Sequence, residues 1–286
     1  MLIDGKKIAA ELGAELSGRV AALTATGVTP TLAIVVATDD EGTAWYVRSL
    51  VRAGTALGIE VRRTELATDA GREEIRAALA AASTDPAVHG VICQTPLPAG
   101  LRLDDVADAI DPEVDVDGAN PISLGRLASG SPTAFAPATA AAVLAILRHQ
   151  EVPLRGQRAV VIGRSTVVGK PAALLLLDQH ATVTVCHSRT VDLPAVAREA
   201  DVLVAAVGRP RLVTNDYVKP GAVVIDVGTN PTPEGGLVGD VDTAGVEPVA
   251  AAVTPVPGGV GPVTTMLLMA HVVTAAERRG ETDQPG

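Results

Sequence analysis

The sequence predicts a doubly wound α/β protein in two parts. Short apolar, β-rich runs alternate with stretches whose apolar residues fall at helical spacing along nearly all of the 286 residues. The stretch from Arg158 to Arg189 reads as strand, tight turn, helix and strand, the length of one βαβ unit. Between two such regions lies Asn120 to Pro137, rich in Gly, Pro and Ser, which reads as a connector.

In chain order, Asp4 to about Thr26 carries Ile8, Leu12, Leu16, Val20 and Leu23 on one helical face, with Asp4 as cap and Gly27 as stop. Thr31 to Thr38 is a buried strand, and about Gly42 to Leu57 is a helix ended by Gly58. A strand at Glu60 to Leu66, a helix at Gly71 to Ala82 and a strand at Val88 to Cys93 complete a small α/β layer. Leu103 to Ile110 reads as a short helix. Asp111 to Gly118 is too acidic and turn-rich for a core element and reads as a loop; it lacks the twelfth-position glutamate and the flanking helices of a calcium loop, so no metal is assigned. Thr139 to about His149 is a helix that leads into the second part.

There, the strand Ala159 to Ile162 ends in Gly163-Arg164-Ser165, and Val168-Gly169-Lys170-Pro171 opens a helix that runs through the apolar stretch Ala172 to Leu177. Gly163 permits a sharp turn, Gly169 a close helix, and Pro171 suits a first helical turn. Such a helix start offers N–H groups to a phosphate. Ser165 replaces the second glycine of the common G-x-G-x-x-G pattern, and the last glycine falls one place late. A site for NAD usually has a carboxylate after the second strand. This chain has Cys186-His187-Ser188-Arg189 there, which with Arg164 suits a 2′-phosphate. The expected cofactor is therefore NADP in a Rossmann-type domain.

Further strands are expected at Val202 to Val207, Ala222 to Val227, about Val238 to Val241 and Ala251 to Val253. Gly208 and Gly228, the latter followed by Thr229, either line the ligand edge of the sheet or simply end strands. Thr254 to Pro262 reads as a loop, Thr264 to about Arg279 as a last helix, and 281–286 as a disordered tail.

A formal net charge of −10 argues against nucleic acid or an anionic membrane as partner. Cys93 and Cys186 lie in apolar runs and read as core thiols of a reducing compartment. No basic-then-apolar leader opens the chain and no run reaches about 18 apolar residues, so a cytoplasmic location is expected.

Six stretches in register identify the chain as resembling the methylenetetrahydrofolate dehydrogenase/cyclohydrolase family. They are Tyr46-Val47-Arg48-Ser49, Val91 to Pro98, Asp115-Val116-Asp117-Gly118, the Gly163 to Pro171 turn, Cys186 to Thr190, and Pro255-Val256-Pro257-Gly258-Gly259-Val260-Gly261-Pro262. The resemblance, spanning Asp4 to about Arg279, implies a folate-binding domain over 1–138, onto which a helix at 264–280 packs back, and an NADP-binding domain over 139–263. It implies a cleft between the domains, a tetrahydrofolate derivative as substrate, and a homodimer. It implies that Tyr46 packs along the pterin, that Gln94 and Asp117 lie at the pterin end, and that the loop of Gly258, Gly259 and Pro262 closes the cleft. A flat heterocycle favours an aromatic neighbour.

Two positions depart from the family pattern. Leu50 stands where the family has the lysine assigned to cyclohydrolysis, one turn after Tyr46, and Ala138-Thr139-Ala140 stands where Cys-Thr-Pro is usual. An isobutyl group can neither donate nor accept a proton, so the expected activity is dehydrogenation with impaired or absent cyclohydrolase.

Overall fold

The computed structural model describes residues 1–282, with side chains through Gly280. The tail expected at 281–286 therefore lies, from residue 283, outside the described residues. The chain divides into two compact units. A central unit combines residues 1–10 with 139–264, and an N-terminal unit combines 11–138 with the chain from 265 onward. Residues 1–10, expected with the first domain, join the central unit because Leu2 bridges Val253 and the Ile3 N–H donates to the Val253 carbonyl at 2.9 Å.

The elements begin with α1 (Gly5–Ala25), β1 (Thr31–Val36), α2 (Glu41–Leu57), β2 (Glu60–Glu65), α3 (Arg72–Thr84), β3 (Gly90–Cys93) and α4 (Pro121–Ala128). Asp4 caps α1 by accepting from the Lys6 and Lys7 N–H groups, and Asp40 caps α2 through Thr43. Gly58, at φ 81°, ends α2 in the left-handed region.

The three strands form a parallel sheet in the order β2-β1-β3. Both faces of β1 are covered. Leu32 and Ile34 join a core with Leu16, Val20, Leu50 and Leu268, while Ala33 and Val35 join another with Ile75, Leu79, Val106 and Val114. That burial is why β1 reads as a continuous apolar run rather than an alternating one. The edge strand β2 carries Glu60, Arg62, Arg63 and Glu65, charges that discourage pairing with another chain.

Three expectations in this region are corrected. Leu103 to Ile110 is not a helix but two 3₁₀ turns, Leu103–Asp105 and Ala107–Ala109; the Asp105 carboxylate accepts from the Arg102 N–H, fastening the first. The acidic 111–118 loop is deep, since Val114, Asp115 and Val116 are buried. The Asp115 carboxylate accepts from the Ala119 and Asn120 N–H groups and the Ser123 hydroxyl, which satisfies its buried oxygens. The supposed connector contains α4, capped by Asn120 with Pro121 in its first turn, and buries Phe135 against His271 with the Arg278 guanidinium over its ring.

The central unit adds α5 (Ala138–His149), β4 (Arg158–Ile162), α6 (Gly169–Asp178), β5 (Thr182–Cys186), α7 (Leu193–Ala197), β6 (Val202–Ala205), β7 (Val223–Asp226), β8 (Asn230–Pro231), β9 (Leu237–Val238), α8 (Thr243–Val246), β10 (Ala252–Val253) and α9 (Val260–Thr282). Its five-stranded parallel sheet has the order β10-β7-β6-β4-β5. The strand expected near Val238 to Val241 is instead the second arm of the β8-β9 hairpin, followed by a single bridge from Val241 to Val213. The last helix starts at Val260 rather than Thr264, because Gly261 and Pro262 occupy its first turn, where proline loses no hydrogen bond. By length and composition α9 is apolar enough to cross a membrane, but Leu268, Met269, Val272, Val273 and Ala276 on it are core residues of the N-terminal unit.

Candidate active site

In the central sheet, β5 lies on one side of β4 and β6 on the other, so the winding direction reverses at β4. A crevice opens at such a reversal, outside the carboxyl ends of the strands. Here a pocket of about 490 Å³ is walled by Gly163, Arg164 and Ser165 after β4, His187, Ser188 and Thr190 after β5, and Val207 and Arg209 after β6. Leu193, Leu212 and Tyr217 supply apolar surface.

Two glycines make this turn possible. A Cβ on Gly163, at φ 131°, would stand 2.1 Å from the Ala206 carbonyl oxygen, and one on Gly169 would stand 2.3 Å from the Gly163 oxygen. Ser165 takes the role of a cap. Its hydroxyl accepts from the Val168 and Gly169 N–H groups at 3.2 and 3.3 Å, and its carbonyl accepts from the Lys170 N–H at 3.0 Å. The helix start is thus largely satisfied from within, contrary to the expectation that it offers free N–H groups to a phosphate. Arg164 is an exposed cation on the pocket wall.

Of the expected cofactor residues, Gly163, Arg164, Ser165, His187 and Ser188 share this wall; Val168, Gly169, Arg189, Gly208, Gly228 and Thr229 do not line it. Arg189 acts through its backbone, its N–H donating to His187 Nδ1 at 3.1 Å. Gly228 lies where a Cβ would come within 2.3 Å of the Asp240 carboxyl carbon, so its small size serves a buried carboxylate. Leu193, Arg209, Leu212 and Tyr217 were not legible as wall residues, since no local pattern ties positions so far apart in sequence.

The N-terminal unit assembles the other expected residues. Tyr46, half-buried on α2, has its phenol pushed up by burial and, second, by the negative charge of Asp117. Asp117 is half-buried in the loop after β3. Its Oδ1 accepts the Ala138 N–H at 3.0 Å, and burial pushes its carboxyl up to about 6, with Asp115 adding to the rise. Gln94 is buried at the end of β3, its N–H donating to the Val35 carbonyl. Cys93, beside it, is a thiol that burial pushes up to about 12. Leu50, one turn after Tyr46, is 0% exposed and packs in the core. Arg48 and Arg52 are exposed.

The Gly258, Gly259 and Pro262 segment belongs to the central unit. It packs tightly on α1, for a Cβ on Gly5 would stand 1.8 Å from the Gly259 oxygen.

A family profile described as the tetrahydrofolate dehydrogenase/cyclohydrolase catalytic domain matches residues 3–117, and the NAD(P)-binding domain of the same family matches 137–280. The chain belongs to this family. The bifunctional protein FolD 1 of Saccharopolyspora erythraea is 59% identical over 276 residues, covering 96% of this chain and 94% of that protein. FolD of Nocardia farcinica is 56% identical over 96% of this chain and 97% of its own. Among solved structures, the bifunctional FolD of Campylobacter jejuni superposes with a TM-score of 0.94 at 37% identity, covering 98% of this chain and 99% of that one. The Trypanosoma brucei enzyme, solved with NADP cofactor and inhibitor, gives 0.93 at 35% identity, covering 99% of both chains. The pocket at the β4 reversal therefore lies in the family's NAD(P)-binding domain, and Tyr46, Gln94 and Asp117 fall within the matched catalytic domain.

Proposed function

We propose that the protein is an NADP-dependent 5,10-methylenetetrahydrofolate dehydrogenase whose methenyltetrahydrofolate cyclohydrolase activity is impaired or absent. The observation that carries the second clause is Leu50: a fully buried hydrocarbon side chain occupies the turn after Tyr46, and the charge that acts on the Tyr46 phenol is Asp117's carboxylate rather than a cation's.

The pocket fits a dinucleotide. Its glycine turn leaves no room for a side chain, and Arg164, His187 and Ser188 present one guanidinium, an imidazole and a hydroxyl in place of the carboxylate that would select NAD. Arg164 and Ser188 would hold the 2′-phosphate. The nicotinamide ring, once bound, supplies a hydride acceptor. Tyr46 would lie along the pterin, held protonated by its surroundings, and Gln94 and Asp117 would fix the heterocycle's edge through its N–H donors. Gly258, Gly259 and Pro262 would close over it.

Hydride transfer asks only that the two rings be held in contact, because the substrate's own nitrogen lone pairs stabilise the cation formed. Hydrolysis of that methenyl cation needs water activated and protons moved. A leucine spares the first and injures the second.

The relatives' name, bifunctional protein, favours a second reading in which hydrolysis is retained. Asp117 would then have to move the protons, and a carboxyl pushed up to about 6 titrates in the right range for that work. The reading includes a cytoplasmic location and a homodimer, and light scattering on the purified protein checks the second. The direct test of the first clause is NADPH formation from 5,10-methylenetetrahydrofolate and NADP+; no NADPH with this substrate refutes it.

A further inference from the structure

Asp240 lies outside the dinucleotide pocket, 0% exposed, yet it shapes the wall. Its Oδ2 accepts the Val207 N–H at 2.6 Å and the Gly208 N–H at 3.0 Å, while its Oδ1 accepts the Arg209 N–H at 2.9 Å and the Asn230 side-chain amide at 3.0 Å. Three successive backbone N–H groups thus converge on one carboxylate, an arrangement that binds anions strongly. Gly208, at φ 64°, gives the turn its curl, and Gly228 makes room for the carboxylate. Asp240 is held in turn: its own N–H donates to Asp226 Oδ1 at 2.9 Å, and Asp226 Oδ2 accepts the Val241 N–H at 3.0 Å.

The turn fastened this way carries Val207 and Arg209 into the pocket wall. The Arg209 guanidinium makes no ion pair or side-chain hydrogen bond among the described residues, although most arginines elsewhere in the chain do. The N–H groups of Val168, Gly169 and Lys170 at the start of α6 are already spent on Ser165, so those three are not offered to a pyrophosphate. A bound dinucleotide carries more phosphate charge than Arg164 alone can meet.

We propose that Arg209 is a phosphate contact of the bound dinucleotide and that Asp240 is the positioning residue that presents it. This rests on the reading that the pocket holds NADP. The buried carboxylate works at one remove: it fixes the turn, and the turn aims the guanidinium.

The test is calorimetric titration of NADP+ into four proteins: unmutated, Arg209→Gln, Asp240→Asn and the double variant. An asparagine keeps one acceptor, so whichever way its amide turns, the donors on one of the two faces meet an NH2 group that cannot accept. Arg209→Gln is expected to weaken binding about tenfold or more, the usual size of a lost charged hydrogen bond. Asp240→Asn is expected to weaken it at least as much, and the double variant no further, because both act through one guanidinium. Unmutated affinity in Arg209→Gln, or losses that multiply in the double variant, would overturn the proposal. Hydrogen exchange of the unmutated, unliganded protein gives a reading that does not depend on how Asp240→Asn folds: slow exchange at the 207–209 amides supports the clasp, and fast exchange overturns it. If the unmutated protein binds NAD+ but not NADP+, the 2′-phosphate reading fails while the same cycle run with NAD+ still decides on Arg209.

Discussion

On the proposed reading, single charges decide which dinucleotide this protein selects. Arg164 meets no side-chain partner of its own among the described residues, and no carboxylate follows β5 to hold a ribose hydroxyl. Arg164→Ala should therefore erase most of the preference for NADP over NAD, roughly 10- to 100-fold, measured as the ratio of the two affinities. Asp117, which the proposed function sets against the pterin, costs stability. Burial holds its carboxyl at about 6 against an ordinary 3.8, so between those values the folded state binds more protons than the unfolded one, and stability falls as pH rises through that window. Asp117→Asn, which keeps an acceptor for the Ala138 N–H, should stabilise the unliganded protein above pH 6 by at most about 3 kcal/mol while weakening folate binding. The gap between variant and unmutated protein in urea denaturation should close as pH falls below 4. Leu50→Lys should restore some cyclohydrolysis if the ammonium reaches the pterin, at a stability cost of several kcal/mol for burying a charged group, read by thermal melting beside the activity assay.

At the scale of elements, close backbone approach sets the site. Gly163→Ala forces a Cβ against the Ala206 oxygen at an unfavourable φ, so the ends of β4 and β6 must part. It should cost about 1–3 kcal/mol by denaturation and weaken the dinucleotide in the same titration used for Arg164. This glycine was legible because its constraint is local: strand, turn and helix follow one another in sequence. The helix α4 was missed although Asn120-Pro121 is a start signal, since Ser123 and Gly125 make its interior look like a loop. The first turn of α9 was missed for a similar reason, Gly261 and Pro262 hiding a helix that tolerates them at its start. Asp115 looked solvated on composition; its burial depends on Ala119, Asn120 and Ser123 folding back to satisfy it, which no periodicity reveals. The Asp240 clasp joins residues 207–209, 228–230 and 239–241, segments too far apart for any spacing rule.

For the molecule as a whole, the two reactions of the family separate by what each demands. Dehydrogenation draws on a pocket whose turn, guanidinium and hydroxyl are all present. On the proposed reading, cyclohydrolysis draws on a proton carrier at a position that here holds the core residue Leu50. The deciding measurement supplies methenyltetrahydrofolate directly to the purified, unmutated protein and follows its disappearance against a buffer blank, with NADPH formation from methylenetetrahydrofolate recorded on the same preparation. The account predicts NADPH formation together with hydrolysis no faster than the blank. Hydrolysis about 10²- to 10⁴-fold above the blank, the contribution of a well-placed acid-base group, would contradict it and assign the step to a residue other than the missing lysine.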